Sequence, residues 1–307
     1  MQKFFQIFIL FLLTLSFTTF YAFSSPFIPK PGKLLIIGQQ IDTVDAYIKS
    51  IGIVPGGFMV YTSIQKMQGL DKAADDGAGV NYADYYIHRY PHSVIQLALY
   101  MVGALDDTLK GRYDDNILKL AAWMKEVRSP IYLRIGYEFD LPSNAYDPLE
   151  YKEAYQYIVG HLRAQGVKNV AYVWHSASMI DPQGNFMDWY PGDDYVDWFA
   201  VSIFNPMQIA TAKKFFIIAK DHQKPLMIAE STPAGEFSSN GKKEWFRHYF
   251  DFINNDDIQI ACYINSNWNA YPLFESMNWG DARVQNDPEI KKIWTKEIKE
   301  FTGQYVQ

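Results

Sequence analysis

Eight short apolar runs recur along residues 33–265, and longer amphipathic stretches separate them. The runs are Lys33–Gly38, Gly57–Thr62, Val94–Met101, Ile131–Gly136, Val170–His175, Trp198–Phe204, Leu226–Glu230 and Ile258–Asn265. Each is rich in Ile, Leu, Val, Tyr or Phe and is followed by polar or Gly/Pro punctuation, so each reads as a strand. Helical patterns lie between them, clearest at Asp114–Val127, Asp147–Gln165, Ala210–His222, Lys242–Asn254 and Asp287–Phe301. In the second of these, Tyr151, Ala154, Tyr155, Ile158, Val159 and Leu162 recur at three- and four-residue steps, which marks one buried face. Gly166 then serves as its C-terminal stop. Eight strands alternating with helices predict an α/β fold, a closed (β/α)8 TIM barrel. An open doubly wound sheet would carry a Gly-rich phosphate loop after its first strand, and Gly38-Gln39-Gln40 is not one. With no short-period repeat, low-complexity tract or linker, residues 25–307 read as a single barrel domain.

The first residues carry a different signal. Lys3 precedes the apolar run Phe4–Phe20, and Tyr21–Ser25 turns small and polar, with Ala22 and Ser24 at the −3 and −1 positions of a cleavage site. Residues 1–24 are therefore expected to be a secretory signal peptide. The competing reading is an uncleaved anchor, since the run is near the lower limit of ~17–25 residues for a span. The mature chain is expected to be secreted or periplasmic, free of the membrane and monomeric. A formal charge of −6 argues against nucleic acid, which needs a basic face. The single cysteine, Cys262, lies in an apolar run and reads as a buried small hydrophobe. The six histidines lack spacing such as H-E-x-x-H, so no metal and no cofactor are expected. Aromatic residues make up 17% of the chain, a composition that suits stacking on the flat apolar faces of sugar rings as well as ordinary core.

Barrel active sites collect at the C-terminal ends of the strands. Two glutamates stand there, Glu138 after the fourth run and Glu230 at the end of the seventh. A carboxylate delivered by a rigid apolar element into a partly desolvated pocket can be raised in pKa to act as acid while its partner stays ionised. Glu138 and Glu230 are thus the catalytic candidates, and surface or ion-pairing roles are the alternative. Tyr61, Tyr137, Trp174, His175 and Asn205 also sit at strand ends and are candidate substrate-binding residues, although His175 could equally be a packing residue. Arg134, four residues before Glu138, either orients and tunes the carboxylate pair or is a buried cation paired elsewhere. The segment Gln68–His92, rich in Asp, Gly and Tyr, is expected to build one wall of the cleft.

The run Ile131-Tyr-Leu-Arg-Ile-Gly-Tyr-Glu138-Phe-Asp140 and the end Leu226-Met-Ile-Ala-Glu230-Ser-Thr-Pro233 resemble a clan A glycoside hydrolase, most closely family 26, the group that contains β-mannanases. Tyr151–Trp174, a Tyr-rich helix and the strand after it, Trp189–Trp198, Asn267-Trp268 and Trp279–Arg283 are similar as well. The resemblance implies Glu138 as general acid/base, Glu230 as nucleophile and Trp268 as the platform under the sugar beside the scissile bond; packing of the barrel rim is the other reading of Trp268. It further implies a retaining endo-glycosidase acting on a β-linked polysaccharide, β-mannan first, with carboxyl groups ~5–5.5 Å apart. A β-glucanase or xylanase of the same clan, or a carbohydrate-binding barrel that no longer cuts, are the alternatives. Two positions depart from the family pattern: Tyr137 stands where many members have histidine, and Phe204-Asn205 where the clan often has a tyrosine.

Overall fold

The apolar runs pair side by side in chain order and the last closes onto the first. In the computed structural model the barrel strands are β1 Leu34–Gly38, β2 Gly57–Ser63, β3 Val94–Tyr100, β4 Ile131–Ile135, β5 Val170–Ser176, β6 Trp198–Ile203, β7 Leu226–Ser231 and β8 Ile258–Ile264. All pairings are parallel, from β1 with β2 round to β8 with β1. The structure describes residues 25–179, 185–236 and 238–301, and the expected signal at residues 1–24 lies outside them.

Alternation along the strands divides most of their residues between two cores. Leu34, Ile36, Met59, Tyr132, Val173, Trp198, Ala200, Met227 and Cys262 fill the barrel interior. Leu35, Ile37, Phe58, Leu133, Tyr172, Trp174, Phe199 and Ile228 face outward and pack beneath the helices. The surrounding helices are α1 Ile41–Ile51, α2 Ala83–Arg89, α3 Leu105–Leu109, α4 Asp114–Glu126, α5 Pro148–Ala164, α6 Gln208–Asp221, α7 Ser239–Asn255, α8 Pro272–Glu275 and α9 Pro288–Glu297. α5 buries the six residues its periodicity marks. It starts where the Asp147 carboxylate accepts from the backbone N–H of Leu149 and Glu150, with Pro148 at the first helical position. The pattern at Asp287–Phe301 is shorter than its apolar spacing suggests: α9 stops at Glu297 and continues only as one tight turn, Ile298–Glu300.

The base of the barrel is sealed by the segment that precedes β1. The Trp198 indole N–H donates to the carbonyl of Pro26 at 3.0 Å, and the Tyr132 hydroxyl donates to that of Phe27. The Phe27 ring meets the Tyr132 ring edge-on at 6.5 Å. Among the described residues no helix is long and apolar enough to cross a membrane.

Candidate active site

Two local irregularities bring the glutamates to one cleft. Between β6 and β7 the register steps from Val201 opposite Ile228 to Ser202 opposite Glu230, so Ala229 is the extra residue of a β-bulge. Alternation alone would send Glu230 outward with Ile228; the bulge re-aims it. β4 ends at Ile135, and the turn that follows holds both Gly136 and Glu138 at φ 54°. At Gly136 a side chain would press on the Tyr151 ring. At Glu138 a non-glycine residue accepts a left-handed backbone, a strain of about 1 kcal/mol or more that folded proteins tolerate where the surroundings over-determine it. Those surroundings are the Glu138 carbonyl, which accepts from Leu141 N–H and Asn144 Nδ2, and Phe139 N–H, which donates to the His175 carbonyl.

Glu138 and Glu230 are 9% and 6% exposed and both line a cleft of about 950 Å³ at the C-terminal mouth of the barrel. Beneath them Arg134, fully buried, forms an ion pair with Glu230. Its guanidinium lies between the rings of Tyr61 and Tyr137, at 5.3 and 5.2 Å from their centroids. The same Arg134 Nη1 is 3.2 Å from His175 Nδ1, His175 Nε2 is 3.0 Å from Ser202 Oγ, and Ser202 Oγ donates to Glu138 Oε1 at 2.6 Å. Burial, reinforced by the charge on Glu230, pushes the Glu138 carboxyl up to about 8. Burial and the neighbouring Arg134 hold His175 well below its ordinary range, so its ring is neutral. The two carboxyl groups therefore stand in unlike settings, one ion-paired and one retaining its proton at neutral pH.

That retained proton has a consequence for stability. The folded state keeps it, while the unfolded chain releases it above a value near 4.5. The associated stability is complete below that value and is lost as pH rises toward about 8. Glu138→Gln preserves an acceptor for Ser202 and removes the ionisation. It is expected to melt several degrees above the wild type at pH 8 and within about a degree of it at pH 4. Equal melting differences at both pH values would contradict a penalised Glu138 ionisation.

The strand-end candidates separate into three groups. Tyr61, Tyr137, Asn205 and Trp268 line the cleft with the two glutamates. Arg134 and His175 lie under the floor and reach the cleft through Glu230 and Ser202. Trp174 is a correction: it faces outward, stacks on Phe139 at 4.5 Å and packs against Phe215, so it cannot meet a substrate in the cleft. Side chains alternate along a strand, and Trp174 and His175 cannot share a face. Trp268 is 2% exposed, packs against Phe274 and Trp279, and donates from Nε1 to Thr232 Oγ1 at 3.2 Å, so this cleft-lining ring is also a rim packing residue.

One wall of the cleft is polar and comes from the segment after β2, where Gln68, Asp76 and Asn81 surround a small hairpin of Ala74–Asp75 and Val80–Asn81. The other is apolar, with Leu273, Phe274, Met277 and Trp279. Two positions escaped the strand-end reading. Ser202 and Gln208 carry no motif, although Ser202 is a polar residue inside an apolar run; Asp140 stands in the motif that follows the fourth run. The Asp140 carboxylate accepts from Ser176 Oγ and from the N–H of Ala177 and Met179, and Gln208 ties Ala177 O to the N–H groups of Phe204 and Asn205. Together they pin the loops that flank Glu138.

A parallel eight-stranded barrel with two buried carboxylates at its C-terminal mouth has the arrangement used by glycoside hydrolases that work through a carboxylate pair. Residues 115–294 match the family described as Glycosyl hydrolase family 26, and the chain belongs to that family. It is 31% identical over 314 residues to the protein named β-1,3-xylanase TXYA of a Vibrio species, covering 91% of this chain and 67% of that protein. A β-1,3-xylanase of an Alcaligenes species is 32% identical over 89% of this chain and 65% of its own length. The chain thus spans about two thirds of these relatives. Among solved structures, GH26C from Muricauda sp. MAR_2010_75 superposes with a TM-score of 0.64 at 16% identity, covering 87% of this chain and 86% of that one. A family 26 β-mannanase from Bacteroides ovatus gives 0.61 at 17% identity, covering 89% of each. At that identity the structural likeness speaks for the fold.

Proposed function

We propose that the protein is a retaining endo-glycosidase that cuts a β-1,3-linked xylan through Glu230 as nucleophile and Glu138 as general acid/base. The observation that carries this reading is the pairing of two buried carboxylates in one cleft with opposite electrostatic treatment. Glu230 meets the Arg134 guanidinium, which holds its carboxyl group in place to attack the anomeric carbon. Glu138 holds a proton for the leaving oxygen and, once that proton is spent, becomes the base that activates water. Trp268 and the polar and apolar walls then position the chain of sugars, and neither metal nor cofactor is required by this chemistry.

Xylan takes the place of the β-mannan expected from the sequence because the relatives at 31% and 32% identity carry the name β-1,3-xylanase, while the mannanase likeness stands at 17%. The apolar wall agrees with a pentose, whose C5 is a bare methylene where a hexose bears a hydroxymethyl arm. Incubation with β-1,3-xylan, β-1,4-xylan, β-mannan and mixed-linkage glucan, followed by proton NMR of the first products, tests both parts. β-1,3-Xylan is expected to be cut at least tenfold faster than the others, with β-anomers released first. Faster cleavage of mannan would overturn the substrate, and α-anomers released first would overturn the double displacement.

A further inference from the structure

The hydrogen bonds below the cleft floor have a direction. An arginine only donates, so Arg134 Nη1 at 3.2 Å makes His175 Nδ1 an acceptor. The buried ring is neutral, and its single proton must then sit on Nε2 and point at Ser202 Oγ, 3.0 Å away. The serine oxygen accepts that N–H and donates its own O–H to Glu138 Oε1 at 2.6 Å. Arg134, His175 and Ser202 are all fully buried, so water does not compete for these bonds. With Oε1 occupied by a donor, the acidic proton of Glu138 is left to Oε2.

We propose that His175 and Ser202 are positioning residues for Glu138, a one-way relay from Arg134 that keeps its acidic proton on Oε2 and sets the pH at which that proton is lost. The relay rests on the acid/base reading of Glu138 only for its catalytic meaning; the bonds themselves do not depend on it. Serine donation favours the ionised carboxylate, so it draws the Glu138 pKa down against burial and the charge on Glu230. The other charges that face Glu138 are Arg134 from β4, which also draws it down, and Asp140 in its own loop, which raises it. Tyr137 and Tyr146 flank it too, but burial holds both phenols well above their ordinary range, so neither changes charge where Glu138 titrates.

The test is a pH titration of the Glu138 side-chain carboxyl by NMR on 13C-glutamate-labelled full-length protein, with the signal assigned by its loss in Glu138→Gln. Ser202→Ala is expected to move the midpoint up by about one unit. His175→Asn, whose amide oxygen replaces Nδ1 for Arg134 but cannot reach Ser202, should move it the same way by less. The double variant should match Ser202→Ala alone, because both changes cut one chain. On β-1,3-xylan the alkaline limb of kcat/KM should follow the midpoint, with kcat down roughly tenfold and KM within twofold. If Ser202→Ala unfolds, Ser202→Cys retains a weak donor and should give a smaller upward shift. A midpoint that stays put or falls, or shifts that add in the double variant, would overturn the relay. Should the wild type cut none of the four polysaccharides, the functional reading fails while the carboxyl titration still decides the relay.

Discussion

Glu230→Ala is expected to abolish turnover on every substrate, activated or not, by roughly 10⁵-fold or more, the scale on which loss of an enzymic nucleophile is felt. Without the carboxylate no glycosyl-enzyme bond forms. The vacated space invites a small anion, and azide is expected to restore cleavage of an aryl β-xylobioside with inverted stereochemistry, since a single displacement replaces two. The ion pair adds a structural effect. Arg134 is fully buried against Glu230, and removing the carboxylate leaves a buried cation uncompensated, a loss of about 3–5 kcal/mol in comparable cases. The variant should therefore melt markedly lower, whereas Glu230→Gln, which offers the guanidinium an amide oxygen, should be equally inactive with a smaller drop. Turnover is to be measured well below either melt. Ordinary activity in Glu230→Gln would show that another group attacks.

Glu138→Ala is expected to behave differently. Cleavage of β-1,3-xylan should fall about 10²- to 10⁴-fold, the usual worth of a positioned proton donor. An aryl β-xylobioside with a good leaving group needs no proton in the first step, so its glycosyl-enzyme should still form and then accumulate, seen as a burst of phenolate. Azide should accelerate its breakdown and give a β-glycosyl azide, with configuration retained. Equal loss on both substrates, without a burst, would remove Glu138 from the acid/base role.

Much of this molecule is written in the apolar runs. A strand covered on both faces must be apolar throughout, so all eight strands could be read with ends in error by a residue or two. The two glutamates were visible because acidic side chains close otherwise apolar segments. The local geometry that aims them into one cleft was not visible. It depends on the extra residue at Ala229 and on left-handed turns at Gly136 and Glu138, and neither changes the pattern of residue types. Reading strand ends as a set also obscured their two-residue period, which separates Trp174 from His175. Ser202 escaped for the opposite reason: its role comes from partners on β5 and in the turn after β4 that only the closed barrel brings near it.

The seal beneath the barrel bears on how the enzyme could be tethered. Pro26 and Phe27 meet Trp198 and Tyr132 at the face opposite the cleft. The lead-in at Pro26–Phe27 is thus fixed on the side of the barrel away from the groove, and a carrier surface that approached from that side would leave the sugar-binding face open.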